Sequence, residues 1–282
     1  MRGKAIKLYN MVRSTLSNAG VFSPAFESFM IINLVFKKNY IDLQEEDITE
    51  EKIKNINLIL QKRTEKYPLQ YIVKNWSFFG LEFNIGEGVL IPRSDTEVLV
   101  EVGLNFIKKK TSPVIVDLCS GSGCVAISLA NEVPSAKIYA IEKSKEAYKY
   151  LEQNVKLNKT FNVKPILADL KTVVNDFEDL SIDLIISNPP YIKTADIQTL
   201  QEEVKFEPAM ALDGGIDGLD FYKIITKLWK KKLKQSGLLV FEVGVNQSQE
   251  VLKIMHLMNF DNLKCWKDLN GINRVISGKN KL

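Results

Sequence analysis

Residues 113–126 read PVIVDLCSGSGCVA, in which an apolar run reaches Asp117 and a glycine-rich turn follows. The run PVIVDLC predicts a strand, and GCVAISLANEV after it predicts a helix. Glycines at such a turn let the backbone approach a ligand closely, and the N-terminus of the following helix favours a negatively charged group. The stretch therefore predicts the first strand, turn and helix of a ligand-binding α/β domain.

The same alternation of strand and helix continues toward the C-terminus. KIYAIE (137–142) predicts a second strand and KEAYKYLEQNVKLN (145–158) a helix, and VKPILA, IDLIIS and GLLVFEV predict three more strands. NLKCWKDL and NRVISG predict a closing pair of strands. This alternation is typical of a doubly wound α/β fold, in which helices cover both faces of a mostly parallel sheet.

The N-terminal part has a different pattern. Residues 1–72 predict a small helical domain, with helices that begin after Ser23 and Thr49. WSFFGLEFNIGEGVLI (76–91) predicts a β-hairpin, so residues 73–92 are interpreted as a linker and residues 93–282 as the α/β domain. Ser94 and Glu97 have the spacing of a capping box at the start of the next helix.

Composition narrows the class of protein. The 282 residues are 45% hydrophobic and 26% charged, which is ordinary for a soluble globular protein. Because no apolar run reaches the ~18 residues of a membrane span, we expect a cytoplasmic protein with no membrane association. The net charge of +4 is compatible with a nucleic-acid partner but does not require one.

The cysteines and the single histidine limit the chemistry. Cys119, Cys124 and Cys265 have no C-x-x-C spacing, so neither a disulfide framework nor a zinc site is expected. The only histidine, His256, lies in a predicted helix. We therefore expect a reaction that needs no metal, no histidine base and no Cys–His pair.

Two acids mark a candidate cofactor site. Asp117 stands four residues before Gly121, at the carboxyl end of the first predicted strand, where ligands bind in open α/β sheets. Glu142 ends the second predicted strand, where an acid can accept hydrogen bonds from ribose hydroxyls. GSGCVA also fits the dinucleotide pattern G-x-G-x-x-A. NAD and S-adenosylmethionine both contain an adenosine ribose, so these residues alone leave both cofactors open.

The loop SNPPYI (187–192) distinguishes between them. Each residue before a proline is biased toward extended geometry, so Asn188 and Pro189 make this loop stiff. It can hold the Asn188 side-chain oxygen and the Pro189 carbonyl as two acceptors, with the Tyr191 ring as a stacking wall. Such a site suits a planar –NH2 group, which positioning alone can direct at an electrophilic methyl group. The loop therefore favours methyl transfer.

Asn-Pro-Pro-Tyr after a strand resembles the class I methyltransferases that modify adenine N6, cytosine N4 and glutamine side-chain amides. Across nearly its whole length the chain is similar to one branch, the release-factor glutamine methyltransferases of the HemK/PrmC type. The similar segments are PLQYI (68–72), FFGLEFNI (78–85), VLIPRSDTE (89–97), DLCSGSGCVAISLA, SNPPYI, EPAMALDGGIDGLDFY (207–222), FEVGVNQ and DLNGINRVISG.

This resemblance implies a seven-stranded class I methyltransferase fold and a specific reaction. A methyl group would pass from S-adenosylmethionine, leaving S-adenosylhomocysteine, to the Gly-Gly-Gln glutamine of peptide chain release factors and give N5-methylglutamine. It also implies a protein substrate bound by the helical domain, no direct nucleic-acid substrate and a monomer.

The resemblance also implies residue roles. The implied cofactor-binding residues are Asp117, Cys119, Ser120, Gly121, Ser122, Gly123, Glu142, Asp169, Leu170 and Asn188. The glutamine would be held by Asn188, Pro189, Pro190 and Tyr191, of which Asn188, Pro189 and Tyr191 are the catalytic candidates. The chain departs from the family pattern where Glu142 replaces the usual Asp, Leu170 replaces an aromatic of some members, and Ser94-Asp95 replaces Pro-Glu.

Three other functions fit the sequence less well. A DNA adenine-N6 or cytosine-N4 methyltransferase needs a base-reading domain and a phosphate-binding surface, whereas the N-terminal domain is mixed in charge and carries EEDITEE (45–51). An NAD-dependent oxidoreductase leaves SNPPYI unexplained. A non-enzymatic binding module would be expected to lose Asn188 or the glycines, and both are present.

Overall fold

The computed structural model describes residues 3–281, which form two compact units. The first unit contains the chain up to Asn75 together with Gln201–Phe206. The second contains Trp76–Leu200 and the chain from Glu207 onward. The first unit thus recruits a short segment that lies far along the sequence.

The first unit is helical, as predicted. Its helices are α1 (Gly3–Asn18), α2 (Pro24–Phe36), α3 (Glu50–Thr64) and α4 (Leu69–Val73). Thr49 caps α3, since its hydroxyl accepts from the Lys52 N–H at 3.4 Å. Ser23 precedes α2 as predicted, but its side chain makes no capping hydrogen bond. The apolar faces of these helices bury a common core that includes Leu8, Val12, Leu16, Ile31, Ile32, Ile56 and Leu60.

A buried cation joins the recruited segment to these helices. The Arg63 side chain is fully buried, and its guanidinium donates to both Glu27 carboxylate oxygens at 2.7 and 2.9 Å. The Nη2 that donates to Glu27 also donates to the Glu203 carboxylate, at 3.0 Å. A buried charge is tolerated only when it is paired and hydrogen-bonded, so this arrangement constrains where Gln201–Phe206 can lie within the unit.

The predicted hairpin is confirmed, and it is short. Strands β1 (Asn75–Phe78) and β2 (Leu81–Asn84) pair with each other. Phe79 and Gly80 between them have φ of 50° and 73°, as a tight two-residue connection between antiparallel strands requires.

The main sheet has seven strands within residues 3–281, which confirms the predicted fold class. They are β3 (Val114–Leu118), β4 (Lys137–Glu142), β5 (Val163–Leu167), β6 (Ile182–Ser187), β7 (Leu233–Glu242), β8 (Phe260–Lys267) and β9 (Asn273–Asn280). Their order is β5-β4-β3-β6-β7-β9-β8. The neighbours among β3 to β7 pair in parallel, while β9 runs antiparallel to both β7 and β8.

Helices cover both faces of this sheet. The helices of the second unit are α5 (Glu97–Ile107), α6 (Cys124–Glu132), α7 (Lys145–Leu157), α8 (Leu170–Val173), α9 (Ala209–Leu212), α10 (Asp220–Trp229) and α11 (Ser248–Leu257). On one face, Ile185 belongs to the same buried core as Trp229 of α10. Leu184 and Ile186 point the other way, toward Gly103 of α5. All six residues of β6 are buried, which explains why IDLIIS is apolar except at Asp183 and at its last residue, Ser187.

The predicted capping box of Ser94 and Glu97 is wrong. Residues Ser94–Thr96 form a 3-10 turn, and α5 begins only at Glu97. The Glu97 carboxylate instead accepts from the Phe79 backbone N–H at 2.9 Å, so it holds the hairpin turn rather than its own helix end. Ser94 and Glu97 have the spacing of a capping box, but the Glu97 carboxylate is bound to Phe79, a residue distant in sequence.

The order of the strands determines where a ligand can bind. From β3 the chain adds β4 and β5 on one side of the sheet, and then crosses to add β6 and β7 on the other side. Open α/β sheets bind ligands at such a point, outside the carboxyl ends of the strands. β3 and β6 are parallel neighbours with Leu118 opposite Ser187. The Ser187 hydroxyl donates to the Leu118 carbonyl at 2.6 Å. The glycine-rich turn and SNPPYI therefore begin side by side.

Candidate active site

A cavity opens at this edge of the sheet, entirely within the second unit. Ten of the predicted site residues line it: Asp117, Cys119, Ser120, Gly121, Ser122, Glu142, Asp169, Leu170, Asn188 and Pro190. Gly123, Pro189 and Tyr191 are not among its lining residues. The turns after four parallel strands thus converge, as the predicted topology requires.

The glycine-rich turn is shaped by positive backbone angles. Cys119, Gly121 and Gly123 have φ of 61°, 56° and 82°. A Cβ on Gly123 would lie 2.4 Å from Leu151 Cδ1, so only glycine fits there. Gly123 therefore sets the path of the turn into α6 by close packing, while the three residues before it line the cavity.

Asp117 holds a buried carboxylate at the floor of the cavity. The residue is 1% exposed, and its Oδ2 has no hydrogen-bond partner among residues 3–281. Burial raises the pKa of Asp117 to about 8, against the lowering effects of Ser120 and the Ala126 N–H nearby. An unpaired carboxylate oxygen in such a place favours a cationic or N–H-donating ligand group.

Glu142 is held by two backbone donors. Its Oε2 accepts from the Gly121 N–H at 2.8 Å, and its Oε1 accepts from the Ser144 N–H at 2.7 Å. Burial raises its pKa in spite of these bonds. A carboxylate has about four acceptor positions, so two remain for ligand hydroxyls. Glu142 has one methylene more than Asp, and these two bonds hold the carboxylate of the longer side chain in place.

Asp169 and Leu170 form another side of the cavity. The Asp169 carboxylate accepts from the Lys171 N–H at 2.9 Å and pairs with Lys143 at 3.0 Å. Leu170 is buried, and its carbonyl accepts from the Trp229 indole at 3.1 Å. Because Trp229 is fully buried, Leu170 is a fixed apolar surface.

Asn188 is oriented by a residue that the sequence did not point to. Its side-chain Nδ2 lies 3.3 Å from the Thr96 hydroxyl, and both residues line the cavity. Thr96 is 2% exposed. Only its position in VLIPRSDTE could have drawn attention to it.

Tyr191 lies behind the loop rather than on the cavity wall. Its ring packs against the buried core of the α10 face, and its hydroxyl lies 3.3 Å from Glu242 Oε1. Burial raises the pKa of Tyr191 well above its ordinary value, and the negative charge of Glu242 adds to this. The sequence did not suggest Glu242, which is 2% exposed at the end of β7.

Two segments that had no assigned role hold SNPPYI in position. The Gln247 amide donates to the Tyr191 carbonyl at 2.8 Å and to the Gly218 carbonyl at 3.3 Å. Gly214 packs so closely that a Cβ there would lie 2.7 Å from Tyr191 Cα. The Ile192 N–H donates to the Leu212 carbonyl at 2.9 Å. EPAMALDGGIDGLDFY and FEVGVNQ therefore act as a support for the loop.

An ion pair secures the opposite wall. Glu207 is 5% exposed, accepts from the Ile91 N–H at 3.0 Å and pairs with the Arg93 guanidinium. Arg93 also donates to the Ile91 carbonyl at 2.9 Å. The segment VLIPR is thereby held at the cavity by bonds to the residue that begins EPAMAL.

Comparison with known proteins agrees with this geometry. A family model described as Methyltransferase small domain matches residues 95–212. The release factor glutamine methyltransferase of Fusobacterium nucleatum is 40% identical over 279 residues, covering 97% of this chain and 78% of that protein. That of Thermodesulfovibrio yellowstonii is 40% identical over 255 residues, covering 89% and 90%.

The chain belongs to the release factor glutamine methyltransferase family.

Membership confirms the predicted family and the enzyme class, since the chain is a methyltransferase. Among solved structures, the hMettl16 catalytic domain in complex with the MAT2A 3′UTR hairpin 6 aligns with a TM-score of 0.60. The match is 18% identical and covers 72% of this chain and 77% of that one, so it shows a shared fold alone. None of the helices within residues 3–281 is long and apolar enough to cross a membrane.

The burial of Asp117 predicts how the stability of this chain depends on pH when no ligand is bound. Because the pKa of Asp117 is higher in the folded chain than in the unfolded chain, protonation of Asp117 stabilises the fold. This contribution to the unfolding free energy is fully present below about pH 4 and is lost as pH rises toward about 8. Asp117→Asn should therefore reduce the decline in unfolding free energy between about pH 5 and about pH 8 by roughly 1–3 kcal/mol. Urea denaturation at the two pH values measures this.

Asp183→Asn is the matched control. Although burial opposes it, Lys234, Lys110 and the Val114 N–H keep the pKa of Asp183 below its ordinary value. Its replacement should lower stability at neutral pH instead. An Asp117→Asn chain with the pH dependence of the native chain would contradict the account of Asp117.

Proposed function

We propose that this chain transfers a methyl group from S-adenosylmethionine to the side-chain amide nitrogen, N5, of the Gly-Gly-Gln glutamine in peptide chain release factors. The observation that carries the proposal is the 40% identity to two release factor glutamine methyltransferases, each matched over most of both chains. The position of Asn188 beside the cavity supports the same reaction.

The residues present fit the cofactor. When bound, S-adenosylmethionine supplies an electrophilic methyl group on a sulfonium centre. The unpaired Oδ2 of Asp117 suits its ammonium group, and the two remaining acceptor positions of Glu142 suit the ribose hydroxyls. Leu170 offers an apolar surface for the adenine ring. The proposal assigns Cys119, Ser120, Gly121, Ser122, Gly123 and Asp169 to the same site, and it includes no metal.

The loop SNPPYI would hold the substrate. The Asn188 side-chain oxygen and the Pro189 carbonyl would each accept one N–H of the glutamine amide. Two such bonds orient the planar nitrogen so that its face is directed at the methyl group. In the transfer the nitrogen would form a bond to the methyl carbon while the carbon–sulfur bond breaks and leaves S-adenosylhomocysteine. The nitrogen would lose one proton to water, so its lone pair is restored to the amide. Pro190 keeps the loop extended. The Tyr191 ring packs against the core behind the loop, so it would support the loop rather than stack on the substrate.

The function is tested by mass spectrometry. The chain is incubated with S-adenosylmethionine and a release factor, and the release factor is digested. We expect one added methyl group on the peptide that contains Gly-Gly-Gln, assigned to the glutamine by fragmentation. A release factor with Glu in place of that glutamine is the control and should gain nothing. An unmodified native peptide, or a methyl group elsewhere, would refute the proposal.

We also propose that three segments of the chain have different roles. Residues 1–72 bind the release factor, residues 93–282 hold the cofactor, and residues 73–92 link these two domains. A protein substrate needs more contact area than one glutamine provides. Among the large apolar side chains that the helical unit exposes to solvent are two neighbouring aromatics, Phe22, which is 101% exposed, and Phe26, which is 51% exposed. Aromatic side chains of this kind are frequent anchors in protein interfaces.

Replacing both aromatics with serine tests this division in the full-length chain. Phe22→Ser together with Phe26→Ser should raise KM for the release factor about 10-fold or more, the usual range for interface anchors, and leave S-adenosylmethionine affinity unchanged. Phe161→Ser is the control, because Phe161 is 76% exposed in the second unit. An unchanged KM in the double variant would contradict the assignment.

Two further properties follow from the proposed substrate. Release factors act in translation, so we propose that the enzyme is cytoplasmic, without a direct nucleic-acid substrate. We also propose that it acts as a monomer. Light scattering that gave a mass well above 32.0 kDa would contradict the monomer.

The proposed role of SNPPYI predicts how strongly each of three substitutions lowers the rate of methylation. Asn188→Ala removes a preorganised polar group and should lower the single-turnover rate by about 10²–10³-fold. Tyr191→Ala should cost substantially more than Tyr191→Phe, because the ring packs against the core and supports the loop from behind. Rates are measured with saturating S-adenosylmethionine, and cofactor affinity serves as the folding control. If Phe were as damaging as Ala, the hydroxyl contact with Glu242 would be the important one, and the supporting role of the ring would be wrong.

A further inference from the structure

A buried asparagine of α7 contacts both the hairpin and the glycine-rich turn. Asn154 is fully buried, and its Nδ2 donates to the Ser122 carbonyl at 2.9 Å and to the Asn84 carbonyl at 3.0 Å. Its Oδ1 accepts from the Asn84 N–H at 2.7 Å. Because a carbonyl can only accept and a backbone N–H can only donate, these three bonds fix the orientation of the Asn154 amide.

The bond to Ser122 holds the centre of the glycine-rich turn. The peptide group between Ser122 and Gly123 is bound at both ends, because Asn154 donates to its carbonyl and its N–H donates to the Ser120 carbonyl at 2.8 Å. Ser120 and Ser122 both line the cavity. The turn lies between β3 and α6 and belongs to neither, so no ladder of regular hydrogen bonds maintains its shape. Its shape therefore depends on contacts from outside the turn, and Asn154 supplies one of them.

The bonds to Asn84 hold the end of the hairpin against the same helix. Asn84 is the last residue of β2, and the chain after it lies directly on α7. A Cβ on Gly86 would overlap the Tyr150 hydroxyl, and a Cβ on Gly88 would lie 2.8 Å from Glu146 Cβ. Gly88 itself lines the cavity. The hairpin end and the glycine-rich turn are thus joined through α7, and both segments reach the cavity.

We propose that Asn154 is a positioning residue that holds the glycine-rich turn in its cofactor-binding form and couples that turn to the hairpin. The inference rests on the proposed function, because it takes S-adenosylmethionine as the ligand of the cavity. Asn154 is not among the residues that line the cavity, so it acts through Ser122. A coupling between two equilibria is reciprocal. The contact with the hairpin should therefore strengthen cofactor binding, and the bound cofactor should stabilise that contact by the same factor.

Calorimetry with S-adenosylhomocysteine tests the effect on cofactor binding. Asn154→Ala removes the donor to Ser122, so the affinity of the full-length chain should fall about 5- to 10-fold, the equivalent of one net hydrogen bond. The single-turnover rate at saturating S-adenosylmethionine and release factor should stay close to that of the native chain, because Asn154 does not touch the reacting atoms. An unchanged affinity would overturn the inference.

Two other asparagines provide matched controls. Asn158, just beyond α7, donates to the Glu82 carbonyl of the hairpin at 2.9 Å and to the Asn154 carbonyl at 3.1 Å, so its side-chain bonds within residues 3–281 do not reach the glycine-rich turn. Asn280 is buried and donates to the Leu233 carbonyl at 2.9 Å, at the edge of the sheet where β7 begins, opposite the cavity. Asn158→Ala and Asn280→Ala should lower the free energy of unfolding and leave the affinity for S-adenosylhomocysteine unchanged. If either weakened binding as much as Asn154→Ala, lost stability or a loosened hairpin would explain the effect, and the inference would be wrong.

Hydrogen exchange tests the coupling in the native chain and so does not depend on a variant that folds. The Asn84 N–H donates to Asn154, whereas the Phe79 N–H at the hairpin turn donates to the Glu97 carboxylate. Saturating S-adenosylhomocysteine should slow the exchange of the Asn84 amide by the same factor of about 5 to 10 and leave the Phe79 amide nearly unchanged. An Asn84 amide that does not respond, or a Phe79 amide that slows to the same extent, would overturn the inference.

The binding and exchange experiments separate this inference from the proposed function, because neither uses a release factor. A native chain that binds S-adenosylhomocysteine, loses affinity through Asn154→Ala and methylates no release factor would refute the proposed function and leave the role of Asn154 standing. A native chain with no measurable affinity for S-adenosylhomocysteine would overturn both.

Discussion

The parallel pairing of β3 with β6 is the constraint on which the site depends. Leu118 lies opposite Ser187, so the two chains leave the sheet at the same level, one into the glycine-rich turn and the other into SNPPYI. A shift of register would move every side chain of β6 and separate the two loops. The register is well determined because β6 is buried on both faces, between α10 on one side and α5 on the other.

Buried carboxyl groups are the second theme of the site. Asp117 and Glu242 are almost inaccessible, and each has one oxygen without a hydrogen-bond partner within residues 3–281. A protein does not gain stability from such groups, since burial disfavours their charged forms. They lie at the ends of β3 and β7, at the same edge of the sheet as the cavity. These two carboxyl groups lower the stability of the fold, and carboxyl groups with shifted pKa values cluster at active sites, which points to a functional role.

Strand prediction succeeded where a run is apolar and bounded by turns. KIYAIE and IDLIIS coincide with β4 and β6 residue for residue. The acids at strand ends, Asp117 and Glu142, line the cavity because parallel strands bring their carboxyl ends to one edge. The capping box failed for the opposite reason. Glu97 had the correct spacing from Ser94, yet its carboxylate bonds to Phe79, and no local pattern could reveal that partner.

The sequence by itself determined the class of fold, the order of its elements, the family and ten of the residues that line the cavity. These follow from periodicity and from contiguous motifs, which are local properties of the chain. Only the tertiary structure decided which side chains hold those motifs. Thr96 lies in one stretch, and Glu242 and Gln247 lie in a second, FEVGVNQ; each of the three contacts SNPPYI through one hydrogen bond. Hydrogen bonds of this kind depend on distance and direction in space, so they appear only once the sheet and its loops have been assembled.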